Sequence, residues 1–307
     1  MIKLLLIAED TSKLINRNFY YLEQELKNMV HLTLWRKSGH IDYIIRKLET
    51  RPDFILLLND INQHMSPKIN GLAHIDIPTG LFVNDVHRFI SLRRNFINKN
   101  NIDYLFSVIR DKFLTLYPEF QDKMEWFPHF VNIDVCKDYK LKKDFNLLLM
   151  GAVSDTYPLR QKIIKTYEGN ADFIYHTHPG YQSFREKEQE KMIEQNYAKE
   201  LNRSKLFFTC PSRHNYPVLK YFEALACKTL LLAPTFKELE DIGFIPGVHF
   251  VAIDENNFEE KAAYFLAHET ERKQIIEQGY RFIHQHHTVQ HRAQQLVKKI
   301  EKILQSQ

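Results

Sequence analysis

Apolar residues along the chain fall into short runs of four to six, and most are separated by stretches whose apolar positions recur every three or four residues. The runs read as buried strands and the stretches between them as amphipathic helices. In the first half the strands are Lys3–Ala8, His31–Trp35, Phe54–Leu58, Pro78–Val83, Tyr104–Val108 and Met124–Phe127. Helices are expected at Thr11–Leu26, with Thr11 or Ser12 as cap, and at His40–Leu48, stopped by Pro52. The second half opens with Asn146–Met150 and continues with Phe173–His176, Leu206–Thr209 and Thr229–Ala233 as strands. Its helices are Gln182–Leu201, a helix from Pro217 to about Cys227, Phe236–Ile242, Asn257–Ala267, Glu271–His286 and Val289–Leu304. Strands alternating with helices predict an α/β protein with doubly wound parallel sheets.

The length of 307 residues exceeds one ordinary core, so two domains are expected. The polar, Lys-rich Tyr139–Asp144 marks the boundary, which gives a first domain of 1–138, a second of 139–288 and a terminal helix over 289–307. A net charge of +4 favours phosphorylated ligands and is compatible with a peripheral contact at an anionic membrane face, but lacks the concentrated basic patch of a nucleic-acid binder. Cys136, Cys210 and Cys227 are far apart and odd in number, so no disulfide framework or zinc spacing follows, and a reducing, cytoplasmic setting is expected. No apolar run reaches the roughly 18 residues of a membrane span.

The stretch Leu206–Pro234, LFFTCPSRHNYPVLKYFEALACKTLLLAP, joins a strand, a loop, a helix and a second strand. Pro217 suits the first helical position, with Asn215 or Ser212 as cap. Val218, Phe222, Leu225 and Ala226 would face the sheet, and Tyr216, Lys220, Glu223 and Cys227 the other side. A helix opening beyond the carboxyl edge of a parallel sheet collects free N–H groups and positive dipole, which suits a phosphate. Lys220 adds a full charge, and Glu223 can accept hydrogen bonds from neighbouring hydroxyls such as those of a ribose. An ordinary exposed Lys–Glu pair would look the same.

Lys220-Tyr221-Phe222-Glu223-Ala224-Leu225-Ala226-Cys227 resembles the donor-binding segment of GT-B glycosyltransferases, in particular the CgeB-like spore-maturation branch related to glycosyltransferase family 4. The resemblance implies two Rossmann-like domains and a metal-independent transfer of sugar from a nucleotide-diphosphate donor to an acceptor hydroxyl on a glycan, protein or small molecule. No cofactor is implied beyond that donor. It gives Glu223 the nucleotide ribose. It also sets Gly151 and Arg160, in the strand-Gly-loop-Tyr-Pro-x-Arg arrangement, against the donor phosphates. Ser212 and Tyr216, just ahead of the helix, are further donor-binding candidates, Ser212 by its place at the phosphates. Two departures stand out. Lys228 replaces the glycine usual after the Cys, and Asn215 stands where family 4 has the first Glu of its E-x7-E pair. Pro128, Asn132 and Asp134 fit the family's exit from its first domain, and the terminal helix would cross back.

Two further sets bear on chemistry. Asp85 and His87 follow the Pro78–Val83 strand and have the character of a general base, and CgeB-like chains often carry Asp-x-His at this point. Other strand ends place Glu9, Asp10, Asn59 and Asp60 at the same edge. His284–His291 includes an i,i+4 His pair, but resembles the His-Thr-x-x-His-Arg close of the CgeB-like domain, so packing is expected there and no metal. A nucleotide-sugar epimerase or hydrolase of the same fold, or a degenerate sugar-nucleotide-binding or spore-surface module, remain alternatives.

Overall fold

The computed structural model describes residues 1–58, 67–180 and 192–306. Among the described residues, eight strands form in the first half: β1 Lys3–Ile7, β2 His31–Trp35, β3 Gly39–His40, β4 Phe54–Leu57, β5 Ile69–Asn70, β6 Thr79–Val83, β7 Tyr104–Ser107 and β8 Met124–Trp126. Six of them make one sheet in the order β2-β1-β4-β6-β7-β8, and β3 pairs with β5. Five more strands form in the second half: β9 Phe145–Met150, β10 Phe173–His176, β11 Ser204–Phe208, β12 Leu230–Ala233 and β13 Val251–Ala252. These make a second sheet in the order β10-β9-β11-β12-β13. Every pairing is parallel. The protein is thus an α/β molecule with two Rossmann-like doubly wound sheets, as its apolar runs predict.

The continuous apolar strands are explained by burial on both faces. In the second sheet, alternate residues feed two different cores. Leu148, Met150, Phe207 and Leu231 pack against Phe222 and Leu225 of the Leu219–Ala226 helix. Leu147, Leu149, Phe208 and Leu232 pack on the other side with Ile163 and Phe258. One helix layer covers each face.

The chain divides into two compact units, one of Met1–Ser12, Asn16–Pro128 and Gln290–Gln307, the other of Lys13–Ile15 and His129–Val289. The change of unit falls at Pro128, ten residues before the expected boundary at 138. Val131 and Cys136 are the reason, because both are buried in the second unit's core. Backbone bonds also tie Val131 to the end of that unit, from its N–H to the carbonyl of His287 and from the Val289 N–H to its carbonyl. The Lys-rich stretch is no loose linker: Lys143 Nζ donates to the Lys228 carbonyl at 2.8 Å and to Thr229 Oγ1 at 3.2 Å.

The first helix is shorter than its pattern suggests and spans Asn18–Leu26. Side chains ahead of it offer the backbone other partners. Asp10 Oδ1 accepts from the Ser12 N–H, Asn16 Oδ1 from the Asn18 N–H and Thr11 Oγ1 from the Tyr20 N–H. The Asp10 and Asn16 bonds are local and compete with helix formation, so the helix opens only at Asn18, and Thr11 meets the Tyr20 N–H of its first turn from outside the helix. The positions 59 and 60, and the expected helix start over 182–191, lie outside the described residues.

Candidate functional site

In the second sheet the chain passes from β9 to β10 on one side and then returns to lay β11 on the other. The loops beyond β9 and β11 therefore part at a topological switch point, where open α/β sheets bind ligands. Gly151 follows β9 there. Its φ of +135° is open to glycine alone, and a Cβ on it would lie 2.9 Å from Lys220 Cε and 3.1 Å from Arg160 Nη1. Bare backbone, an ammonium stem and a guanidinium thus meet at one spot.

Arg160 lies in the first turn of the Pro158–Thr166 helix and is 3 % exposed. Nη1 donates to the Ala152 carbonyl at 3.0 Å, and Nη2 to Thr209 Oγ1 at 3.1 Å and the Cys210 carbonyl at 3.0 Å. Its guanidinium also lies 4.0 Å over the Tyr157 ring. The sequence reading turns this arginine toward phosphates. Here it fastens the two loops of the switch point to each other, and its charge sits beneath them.

The helix after the β11 loop is eight residues long, Leu219–Ala226, and starts two residues later than Pro217 suggests. Val218 is its N-cap, in extended conformation, and no side chain caps the helix. The expected caps are engaged elsewhere. Ser212, buried, accepts from the His214 N–H at Oγ and from the Asn215 N–H at its carbonyl, and Asn215 turns the chain at φ +60°. Tyr216 is half-buried, its ring parallel to that of His214. The helix is also enclosed on more sides than a two-faced pattern implies, since Cys227 is buried and Tyr221 reaches through the core to donate to the Pro234 carbonyl. Cys136 and Cys227, distant in sequence, are buried in the same core as free thiols.

Lys220 and Glu223 remain half-buried, one turn apart. Lys220 Nζ stands 5.2 Å over the Tyr197 ring. Burial lowers its pKa, Glu223 opposes that, and Arg160 adds to it. Glu223 Oε2 accepts from the Tyr197 hydroxyl at 2.9 Å. Burial raises the Glu223 pKa against the pull of Lys220 and of that hydrogen bond. On the neighbouring strand Tyr175 donates to the Gly151 carbonyl at 3.1 Å. His176 is held by Glu200 at 2.9 Å. His178 Nδ1 accepts from the Gly180 N–H, and burial, with Lys220 and Arg160, lowers its pKa. Tyr175 and Tyr197 escape sequence reasoning, because an aromatic in a strand or on a helix reads as packing until its hydroxyl is seen to have a target.

Asp85 and His87 belong to the first unit, on the loop between β6 and the Ile90–Asn100 helix. A fully buried arginine underlies this loop. Arg93 Nη1 donates to the Arg88 carbonyl at 2.7 Å and to the Tyr117 hydroxyl at 2.6 Å, and Nη2 to the Asp85 carbonyl at 3.2 Å. Tyr117 in turn donates to the Val86 carbonyl at 3.0 Å. Asp85 has Arg88 3.9 Å away. At the β1 end, Arg36 Nη1 donates to the Ala8 and Glu9 carbonyls, and its other contacts go to Glu23. Gly151, Arg160, Lys220 and Glu223 are thus brought together at one sheet edge. Ser212 and Tyr216 lie on the loop leading to it, and Asp85 and His87 on the other unit.

A family model described as "Glycosyl transferase-like" matches residues 144–298, half of the chain and nearly all of the second unit. The chain belongs to that family. Solved structures share the whole fold. HepE of Anabaena, solved with UDP and glucose, is similar at a TM-score of 0.63 and 9 % identity, covering 98 % of this chain and 100 % of that one. Sucrose-phosphate synthase of Thermosynechococcus elongatus is similar at 0.66 and 9 % identity, over 99 % and 100 %. An alpha-glucosyltransferase solved with UDP and a 13-mer DNA is similar at 0.62 and 12 % identity, over 98 % and 100 %. No curated protein matches in sequence. Family and fold together make the protein a glycosyltransferase of the GT-B architecture.

Within this glycosyltransferase the unusual residues have local explanations. Lys228 takes the left-handed φ of +51° that normally calls for glycine after a helix. Its ammonium is 2.9 Å from Glu277, 3.7 Å from Asp138 and 4.6 Å from the Tyr280 ring centroid, so the side chain itself has work there. His287 is buried with Phe222, Phe244 and Phe282 around its ring, and its Nε2 lies 2.9 Å from the Ile242 carbonyl. Among the described residues no helix is long and apolar enough to cross a membrane.

Proposed function

We propose that this glycosyltransferase moves a sugar from a nucleoside-diphosphate donor to an acceptor hydroxyl without a metal ion, and that it works in the cytoplasm as a member of the CgeB-like branch. The observation that carries the reading is the pair Lys220 and Glu223 at the start of an uncapped helix, opening on bare backbone at Gly151. The diphosphate meets Lys220 and the helix N-terminus, with the Arg160 charge beneath; these take the place of a cation as negative charge builds on the leaving group. Glu223 accepts the ribose hydroxyls. Asp85 or His87 receives the acceptor's proton as its oxygen bonds to the sugar carbon and the bond from that carbon to the diphosphate breaks. A diphosphate beside Lys220 offsets the burial that lowers its pKa. UDP is the first nucleotide to test, because HepE and the alpha-glucosyltransferase were solved with it.

The test is titration calorimetry with UDP on the native protein and on Glu223→Ala, with denaturant unfolding of both. The expected result is an affinity loss of about tenfold or more, the worth of one or two charge-assisted hydrogen bonds, with folding stability nearly unchanged. Equal affinity in a well-folded variant would remove Glu223 from the site.

A further inference from the structure

Tyr197 stands on the Glu194–Arg203 helix, an element that contributes nothing to the Lys-Tyr-Phe-Glu-Ala-Leu-Ala-Cys segment. It nevertheless touches both charged members of that segment. Its hydroxyl donates to Glu223 Oε2 at 2.9 Å, and its ring lies 5.2 Å beneath Lys220 Nζ. A carboxylate on a helix has several rotamers of similar energy, and a lysine has more. One rigid phenol limits both.

Resting on the reading that Glu223 grips a ribose, we propose that Tyr197 is a positioning residue for nucleotide selectivity: it occupies one Glu223 oxygen so that the other is presented to the 2′ and 3′ hydroxyls. Geometry limits the alternatives. Oε1 has no hydrogen bond among the described residues, while Oε2 is engaged by Tyr197. A carboxylate pinned at one oxygen has its second oxygen directed, and a vicinal diol can offer two donors to it. Burial and the neighbouring Glu223 hold the Tyr197 pKa well above the ordinary value, so the phenol keeps the proton it must donate. Lys220 over the ring is held near the bare backbone of Gly151, so phosphate and sugar contacts are set by one side chain.

The consequence is chemical selectivity rather than general affinity. Tyr197→Phe keeps the ring under Lys220 and deletes only the O–H. Calorimetry with UDP and with 2′,3′-dideoxy-UDP on native protein and variant separates the roles. Native protein is expected to prefer UDP by about tenfold or more. Tyr197→Phe is expected to cut that preference severalfold by weakening UDP while leaving the dideoxy compound unchanged. Its UDP affinity should also fall away at a higher pH than that of native protein, because the hydrogen bond that lowers the Glu223 pKa is gone. A variant that keeps the full preference, or weakens both nucleotides equally, overturns the role of Tyr197 while the ribose reading stands. Native protein with no preference overturns the ribose reading and the Tyr197 role with it.

Discussion

Arg93 in the first unit and Arg160 in the second are both buried under a loop that follows a strand, and both donate to carbonyls of that loop. What lies above them differs. Over Arg160 are a glycine at positive φ, a half-buried lysine and an uncapped helix start. Over Arg93 are Asp85 and His87, and the helix that follows begins after Phe89 at φ +52°. The same device therefore lies under the surface proposed to receive the diphosphate in one unit and under the proposed acid-base pair in the other. Guanidinium suits both, because its fixed fork satisfies several carbonyls at once and stays charged when buried.

The strongest way to break this comparison is to remove the two arginines. Arg93→Met and Arg160→Met each leave several buried acceptors unsatisfied, and each is expected to lose about 3–5 kcal/mol of stability in denaturant unfolding. If Arg160→Met unfolded like the native protein but no longer bound UDP, Arg160 would be a phosphate ligand and the likeness to Arg93 would be void.

A smaller effect sharpens the contrast between the loops. Gly151→Ala forces a methyl group against Lys220 and Arg160 in a backbone conformation that alanine resists. The expected cost is about 1–3 kcal/mol, with UDP affinity down at least tenfold. Normal affinity would mean that Lys220 can leave Gly151 without consequence.

The smallest effect asks what happens when a lysine takes an arginine's task. Lys143 also donates to a carbonyl, at the far end of the Lys220 helix, and burial lowers its pKa from 10.5 to about 8. The folded protein releases this proton before the unfolded chain does. Stability therefore rises with pH between about 8 and 10.5. Relative to Lys143→Met, native protein is expected to gain about 1–2 kcal/mol between pH 8 and pH 10, after allowance for partial solvent screening. A flat difference would show that Lys143 is no more buried than a surface lysine.

Much of the fold was legible from periodicity. Four-residue runs such as FILL at Phe54–Leu57, short and preceded by Pro52, read as strands buried on both faces, and they are. The Lys220–Glu223 segment was legible as well, because a one-turn spacing fixes two side chains on one helical face before any tertiary contact forms. Element starts were less so. The Thr11 and Pro217 starts failed because Asp10, Asn16, Ser212 and Asn215 bond to their own neighbourhoods, a choice between two local partners that spacing does not decide.

By itself, then, the chain's pattern determined the two parallel sheets, the order of their longer strands, and the helix bearing Lys220 and Glu223, since each depends on residues near in sequence. Only the tertiary structure decided that Arg160 reaches Cys210 across 50 residues, that Tyr197 meets Glu223 across 26, and that Val131 and Cys136 belong to the second core. Those are meetings between distant segments, set by which strand lies beside which, and no local preference records them.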